Sequence, residues 1–435
     1  MFQTFGKISD QDDALGRRRS TRALINDRLI RDATVKLILQ HGIDALSFRE
    51  IGKEARLTHG ALYARCEDIE ELLVDLWVNE LKVRAEAMMV LAEEAVANPS
   101  DVRIHAVVDY LRNASPDDEA TVQVLLASRR FPVLLEETES FTREFIERRV
   151  GVPEDLHSRT LLVFSLMMMV VLSISQLGPQ YEDLDFIESI LCSTLRVEAG
   201  DGAPVELRDS NEWAIAAPKS DTRSQLAYCT YVAVGKTGFS QATISRISRR
   251  ANCSPGAIYK IFPSKDELVI AAMRAVVKAP WTTTASFCAI LDEGSLAQLL
   301  AGSASIHNDA RKFFDLEVAL ASSSNVKLRA TVQSQLQSLE ALVPFVAGPD
   351  QAEKAQLLYT IRLLNLLSTG TSFLSTLSPS VERMDFNQFA EPLRRSLEQK
   401  LPSWNEIRSQ LLATIAPTDR LAPVRCHPKV KAAAF

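Results

Sequence analysis

The stretch that decides the fold occurs twice: Gly42-IDALSFREIGKEARLTHGALYARCEDIEE-Leu72 and Gly238-FSQATISRISRRANCSPGAIYKIFPSKDE-Leu268. The two align without a gap at an offset of 196 residues. Identities fall at Gly42/Gly238, Ile51/Ile247, Ala55/Ala251, Gly60/Gly256, Ala61/Ala257, Tyr63/Tyr259, Glu71/Glu267 and Leu72/Leu268. Ser47/Thr243, Thr58/Ser254 and Leu62/Ile258 are conservative pairs. The shared positions are those of turns, core and helix caps, as expected of one unit used twice.

A second match appears downstream at an offset of 200: Thr160/Thr360, Leu166/Leu366, Ser175/Ser375, Leu177/Leu377, Pro179/Pro379, Asp185/Asp385 and Phe186/Phe386. A four-residue insertion reconciles the two offsets. The 435-residue chain therefore divides into a tandem duplication with a Gly-, Pro- and Asp-rich join. The boundaries expected are an N-terminal basic arm over 1–22, a first module over 23–75 and a first helical domain over 76–198. Beyond them come a linker over 199–219, a second module over 220–272, a second helical domain over 273–416 and a disordered tail over 417–435.

The periodicity is helical throughout, which predicts an all-α fold. Leu29, Ala33, Leu37 and Ile38 lie on one face, and Gly42 stands where a glycine ends a helix. Ser47-Phe-Arg-Glu50 and Ser264-Lys-Asp-Glu267 read as capping boxes. Ser254 followed by Pro255 is an N-cap with proline at the first helical position. Each copy thus reads as three short helices and the start of a fourth. In the second copy, helix two covers Thr243–Arg250, a turn Ala251–Cys253 and helix three Ser254–Phe262. Two short helices about a tight turn form a helix-turn-helix, whose second helix is sized for a DNA major groove.

Charge supports that reading. The net charge is −6, yet residues 17–65 carry net +6 and residues 219–265 net +7, leaving −19 on the rest. Two basic modules in an acidic chain suit a polyanionic partner. Apolar residues are 46% and charged residues 24%, ordinary for a globular chain. The six cysteines show neither CxxC nor zinc spacing, so reduced, mostly buried thiols of a cytosolic protein are expected. Residues 1–15 hold Asp10, Asp12 and Asp13 and no apolar run, so no export leader is expected. The uncharged segment Thr160–Tyr181 has a solid apolar run only over Leu161–Leu172, short of the ~20 residues of a membrane span. It reads as a buried helix, and no membrane association is expected.

Ile247-x3-Ala251-x-Cys253-Ser254-x-Gly256-x-Ile258-Tyr259-x-x-Phe262-x-Ser264-Lys265-x-x-Leu268 resembles the DNA-binding signature of the TetR (tetracycline-repressor-like) family of transcription regulators. Ile51-x3-Ala55-x-Leu57-Thr58-x-Gly60-x-Leu62-Tyr63 resembles it with fewer matches, carrying Cys66 and Ile69 where the second copy has Phe262 and Lys265. The whole is similar to the tandem two-unit regulators of actinobacteria. The resemblance implies a helix-turn-helix domain and a helical ligand-binding and dimerisation domain in each half. It also implies a double-stranded DNA operator and a small apolar effector. The pairing helices fall at roughly 155–197 and 355–400, so the halves would pair within one chain as a pseudo-dimer, with further homo-oligomerisation open.

Carried over residue by residue, the resemblance implies phosphate contacts from Ser47, Thr58, Thr243 and Ser254. It implies base-edge positions at His59, Ala61, Pro255 and Ala257, close backbone approach at Gly60 and Gly256, and backbone grip by Tyr63, Tyr259, Lys260 and Lys265. Arg17, Arg18, Arg19 and Arg22 are either an arm on DNA or a solvated tail. The candidate pocket residues are His105, Tyr110, Phe131, Phe164 and Met168 in the first half, and His307, Phe313, Phe314, Tyr359 and Phe373 in the second; core packing is the competing reading of each.

No Walker loop, GxGxxG, GxSxG, HExxH or metal-ligand spacing is present, so neither an enzyme nor a cofactor is expected. The sequence reads as a sequence-specific regulator, of ligand-responsive repressor type, on an asymmetric operator. The alternative is that the second helix-turn-helix alone binds DNA while the first binds protein.

Overall fold

The structure, a computed structural model, describes residues 21–147, 154–179, 182–197, 221–275, 295–305, 309–346, 351–378 and most of 381–409. Every regular element among these residues is helical. The arm, linker and tail expected from the sequence lie outside them, apart from Thr21 and Arg22, which open α1.

The first module comprises α1 (Thr21–His41), a 3₁₀ turn (Ile43–Ala45), α2 (Phe48–Ala55), α3 (His59–Tyr63) and α4 (Ile69–Leu76). A π-helical segment (Trp77–Leu81) joins α4 to α5 (Lys82–Ala97), and α6 (Asp101–Arg112), α7 (Pro116–Ala127), α8 (Pro132–Glu147), α9 (Glu154–Leu177) and α10 (Leu184–Leu195) complete the half. The second module runs through α11 (Thr222–Thr237), α12 (Ile244–Arg250), α13 (Pro255–Ile261) and a helix over 265–275, α14. α15 (Ser295–Ala304), α16 (Asp309–Ser324), α17 (Val326–Val346), α18 (Gln351–Leu377) and α19 (Asn387–Lys400) come after it.

The repeat survives in backbone detail. Gly42 and Gly238 end α1 and α11 with φ of +77° and +82°, conformations that a Cβ disfavours. Each N–H returns to the carbonyl four residues back, Ile38 and Val234, at 2.9 Å. The downstream match is equally literal: α9 ends at Leu177 and α18 at Leu377. Thr160 and Thr360 each donate to the carbonyl one turn earlier, on Leu156 and Gln356, at 2.8 Å.

The first module has its own small core of Ile30, Ala33, Leu37, Phe48, Ile51, Ala55, Leu62, Cys66 and Leu72. The second builds its core from Leu226, Tyr231, Ile247, Ile258, Phe262 and Leu268, and extends it onto Phe314, Val318 and Ala321 of α16. One large cluster fills the rest and crosses between halves. There α9 packs on α18 and α10 on α19. Thr194 Oγ1 lies 3.3 Å from Ser396 Oγ, and Arg159 Nε donates to the Gln388 carbonyl at 3.0 Å. Gln176 Nε2 donates to the Ala319 carbonyl at 2.6 Å and to Ser323 Oγ at 2.9 Å. The helix Leu156–Leu177 is apolar enough to cross a membrane by composition, but 83% of its most apolar window is buried among other helices. It packs on α5 and α7 of its own half and on α18 of the other.

Candidate nucleic-acid interface

In the first module α2 is opened by Ser47, whose hydroxyl accepts from Glu50 N at 3.3 Å. Arg56 closes α2 in the left-handed region, φ +55°. That residue reverses the chain, and Leu57 N then reaches the Gly52 carbonyl at 2.9 Å. Gly52 lies under α3: a methyl group there would stand 3.0 Å from Leu62 Cδ1. Thr58 caps α3 through Ala61 N at 3.3 Å.

The second module repeats each step. Thr243 caps α12 through Arg246 N at 3.3 Å, and Ser254 caps α13 through Ala257 N at 3.2 Å. The turn residue is Asn252, φ +50°, aligned with Arg56. Cys253 N reaches the Ser248 carbonyl at 3.0 Å. Capping uses hydroxyl lone pairs, so each O–H hydrogen is left to donate outward.

The leading face of each third helix is open. Thr58, His59, Gly60 and Tyr63 are exposed, as are Ser254, Pro255, Gly256, Tyr259 and Lys260. Thr243 is exposed as well, whereas Ser47, Ala61 and Ala257 are half-buried. Tyr63 and Tyr259 are 58% and 53% exposed although each belongs to a packed module. The Tyr63 ring stands edge-on to Phe48 at 4.9 Å, which fixes its direction. A Cβ at Gly60 would meet nothing within 4 Å, and one at Gly256 would meet only Ser254 Oγ at 3.9 Å. Neither glycine has positive φ. Nothing inside the fold calls for glycine at these two positions, and the space above them is free for the close approach of another molecule.

Lys265 departs from its expected role. It is half-buried, its ammonium lies 4.3 Å over the Phe239 ring, and it donates to the carbonyls of Phe239 and Ser240. Burial lowers its pKa, against the pull of Asp44 and Asp266. The side chain ties α14 to the loop before α12 instead of reaching outward. Arg246, Arg249 and Arg250 were not among the expected contacts. They are exposed, and none of them, nor Lys260, has a carboxylate partner among the described residues. Their signal in the sequence was the basic count of the second window.

The two modules are clamped differently. At the end of α3, Arg65 forms an ion pair with the buried Asp27 of α1 and donates to the Ala23 carbonyl. At the equivalent place in the second module, Arg223 of α11 lies over the Phe262 ring at 4.7 Å. Cys66 takes the place of Phe262 and is itself buried.

A family model described as bacterial regulatory proteins, tetR family, matches residues 30–76 and 233–272. The chain therefore carries two segments that match the DNA-binding module of that family. It is similar to the HTH-type transcriptional regulator BetI of Burkholderia thailandensis, at 33% identity over 89 residues, covering 20% of this chain and 46% of that protein. It is similar also to the BetI regulator of Paraburkholderia phymatum, at 34% identity over 62 residues, 14% of this chain and 32% of that protein. The matches thus span less than half the length of either relative.

The pocket positions expected from the TetR resemblance lie in different surroundings among the described residues. His105 is on the surface, where its Nδ1 meets Glu188 at 3.0 Å. Tyr110 donates to Asp118, and burial, then that hydrogen bond, raises its phenol pKa. Phe164, Met168 and Phe373 are sealed in the shared core. Phe314 belongs to the second module's core, 5.2 Å from Tyr231, while Phe313 lies half-buried beneath Arg129. Phe131 packs half-buried on the core, and the Tyr359 ring stands tilted against Phe186 of the other half at 5.9 Å. His307 lies outside the described residues. Clefts among the described residues include one of about 470 Å³ beside Arg31, Leu39, Leu81 and Asp117, and one of about 480 Å³ between the two modules. None of these candidates lines either.

Proposed function

We propose that the chain is a sequence-specific, DNA-binding transcription regulator acting in the bacterial cytoplasm, with both TetR modules engaging one duplex. The observation that carries this reading is the shared outward face: a free cap hydroxyl at Thr58 and Ser254, an unencumbered glycine at Gly60 and Gly256, and an exposed tyrosine at Tyr63 and Tyr259. A helix N-terminus presenting hydroxyls and free N–H groups suits phosphate, and the residues just after it reach base edges. Ser47 and Thr243 flank the same face. His59 and Pro255 differ, as do Ala64 and Lys260, so the two modules would prefer unlike half-sites.

In this proposal the packing of α9 and α10 on α18 and α19 makes the chain its own dimer, acting as a repressor on an asymmetric operator. A small effector would act by favouring the arrangement that does not fit DNA. Because Phe164, Met168 and Phe373 among the positions named for it are packed, entry beside them would require those helices to part.

A second reading is that only the second module holds DNA. It is favoured by Arg246, Arg249, Arg250 and Lys260, which face no carboxylate among the described residues, against the first module's Lys36–Glu54 and Arg65–Asp27 pairs. Selection of binding sites from random duplex DNA by the full chain tests both. Two unlike arms at fixed separation support the first reading, one arm alone the second, and no enrichment overturns both.

A further inference from the structure

The two DNA-binding modules meet at one carboxylate. Glu317 of α16 is fully buried, and it accepts from three residues in two other parts of the chain. Arg129 pairs with Oε1; Arg130 Nε donates to Oε1 at 2.9 Å and its Nη2 pairs with Oε2. Both arginines belong to the 3₁₀ turn Ser128–Arg130 of the first half. Phe239 N, in the second module, donates to Oε2 at 3.1 Å. Arg130 also pairs through Nη1 with Asp44, in the 3₁₀ turn of the first module. One chain of contacts therefore runs from Asp44 through Arg130 and Glu317 to Phe239. Two guanidinium groups face two carboxylates, so the cluster closes with no net charge.

At that point this polar strut runs beside the packing of α1 on α16. Between the modules lies the cleft of about 480 Å³, with His41 and Asp44 on one side and Phe239, Ser240 and Asp266 on the other. Apolar packing does not fill the gap. The two repeat glycines approach the same region. A methyl group on Gly42 would stand 2.6 Å from Ser324 Oγ, and one on Gly238 would stand 3.0 Å from Arg130 Nε and 3.2 Å from Glu317 Oε2. Burying a carboxylate among guanidiniums adds less stability than apolar side chains of similar volume, but it holds its partners in one geometry.

We infer that Glu317 is a positioning residue that fixes the separation and angle of the two DNA-binding modules, and so selects the spacing between half-sites. This rests on the reading that both modules engage one duplex. Each added base pair turns a half-site by about 35° and shifts it along the axis, so a rigid strut penalises it and a loose one does not.

The test uses the full chain and the duplex it selects from a random pool, with one or two base pairs inserted or removed between the arms. Wild type is expected to lose roughly tenfold or more in affinity per changed base pair, within the range of a mismatched contact. In Glu317→Gln, and in Asp44→Asn, which cuts only the first-module end of the strut, that loss is expected to fall to within about threefold, while affinity for each isolated arm stays at the wild-type value. Melting curves establish that each variant is folded; if Glu317→Gln is not, Asp44→Asn decides. A folded variant with the wild-type spacing profile overturns this inference alone. A wild-type chain that selects a single arm overturns the reading beneath it, and this inference with it.

Discussion

Gly370 of α18 lies directly against Ser165 of α9. A methyl group in place of its hydrogen would stand 2.9 Å from Ser165 Cβ and Oγ and 3.0 Å from the Ser165 carbonyl oxygen. Two long helices from different halves thus touch nearly backbone to backbone, and the absence of a side chain on one of them sets how close they come.

Gly370→Ala should therefore force α9 and α18 apart. Overpacking of this kind costs ~1–3 kcal/mol, and a calorimetric scan of the full chain should show a lowered Tm. Adding Ser165→Gly should restore part of the loss, because it removes two of the three atoms struck. Equal Tm in wild type and single variant would refute the close approach.

Gly60→Ala and Gly256→Ala separate fold from function. Alanine favours a helix over glycine by ~0.5–1 kcal/mol, and both positions are spatially open, so stability should hold or rise. DNA affinity should fall, since the added methyl meets the duplex. Tyr63→Phe and Tyr259→Phe should weaken binding to all sequences alike, with stability unchanged. Undiminished binding by the glycine variants, read by fluorescence anisotropy, would remove the contact face from this surface.

Lys265 and Arg249 make opposite forecasts. Lys265→Ala removes two carbonyl contacts inside the second module and should destabilise it by ~1–3 kcal/mol while leaving the salt dependence of DNA binding as it was. Arg249→Ala and Arg250→Ala should spare stability and flatten the plot of log affinity against log salt by about one unit each. A flattened slope in Lys265→Ala would return that lysine to the phosphate set.

Cys66 should be a slow thiol. Burial, and then Asp75, Glu71 and Asp27, push its pKa up to about 11. At pH 8 almost no thiolate is present, so alkylation there should lag behind the half-buried Cys192, Cys229 and Cys253 and accelerate only as pH approaches 11. The raised pKa also gives the sign of the stability term. Its contribution is complete below the unfolded thiol's value near 9 and is lost as pH climbs from 9 to 11. Mass-spectrometric alkylation rates across that range check both.

Arg56 occupies a left-handed turn that its partner fills with Asn252. Arg56→Asn should stabilise the first module by roughly 0.5–1 kcal/mol, because asparagine tolerates that conformation better. Unchanged chemical denaturation would contradict the assignment of strain there.

The helix-turn-helix geometry was legible because local chemistry determines it. Ser47, Thr58, Thr243 and Ser254 cap backbone N–H groups only three residues ahead of them, and Gly42 and Gly238 end helices because glycine alone enters their conformation cheaply. The ends of α9 and α18 at Leu177 and Leu377 were likewise visible as a repeated break in pattern. What escaped was long-range. A lysine at the head of a helix looks the same whether it points to solvent or, like Lys265, into carbonyls supplied by a loop some 25 residues away. Glu317 meets Arg129 and Arg130 across 188 and 187 residues, a pairing no local pattern encodes. The aromatic candidates were ambiguous for a related reason: Phe164 and Phe373 are buried in the shared core, and an apolar ring looks the same in the sequence whether it lines a cavity or fills a core.

The cross-half contacts Arg159–Gln388, Thr194–Ser396 and Ser165–Gly370 all lie within a single polypeptide. In a cell holding a sound and a defective allele, a damaged homodimer subunit captures good ones into hybrid pairs. On the proposal that the chain is its own dimer, each translated copy already carries the mate for its own α9 and α10, so a lesion in either half would stay with the molecule that bears it. Through this interface, loss-of-function alleles should behave as recessive, and the two halves are free to accumulate different residues without each change having to suit a copy of itself.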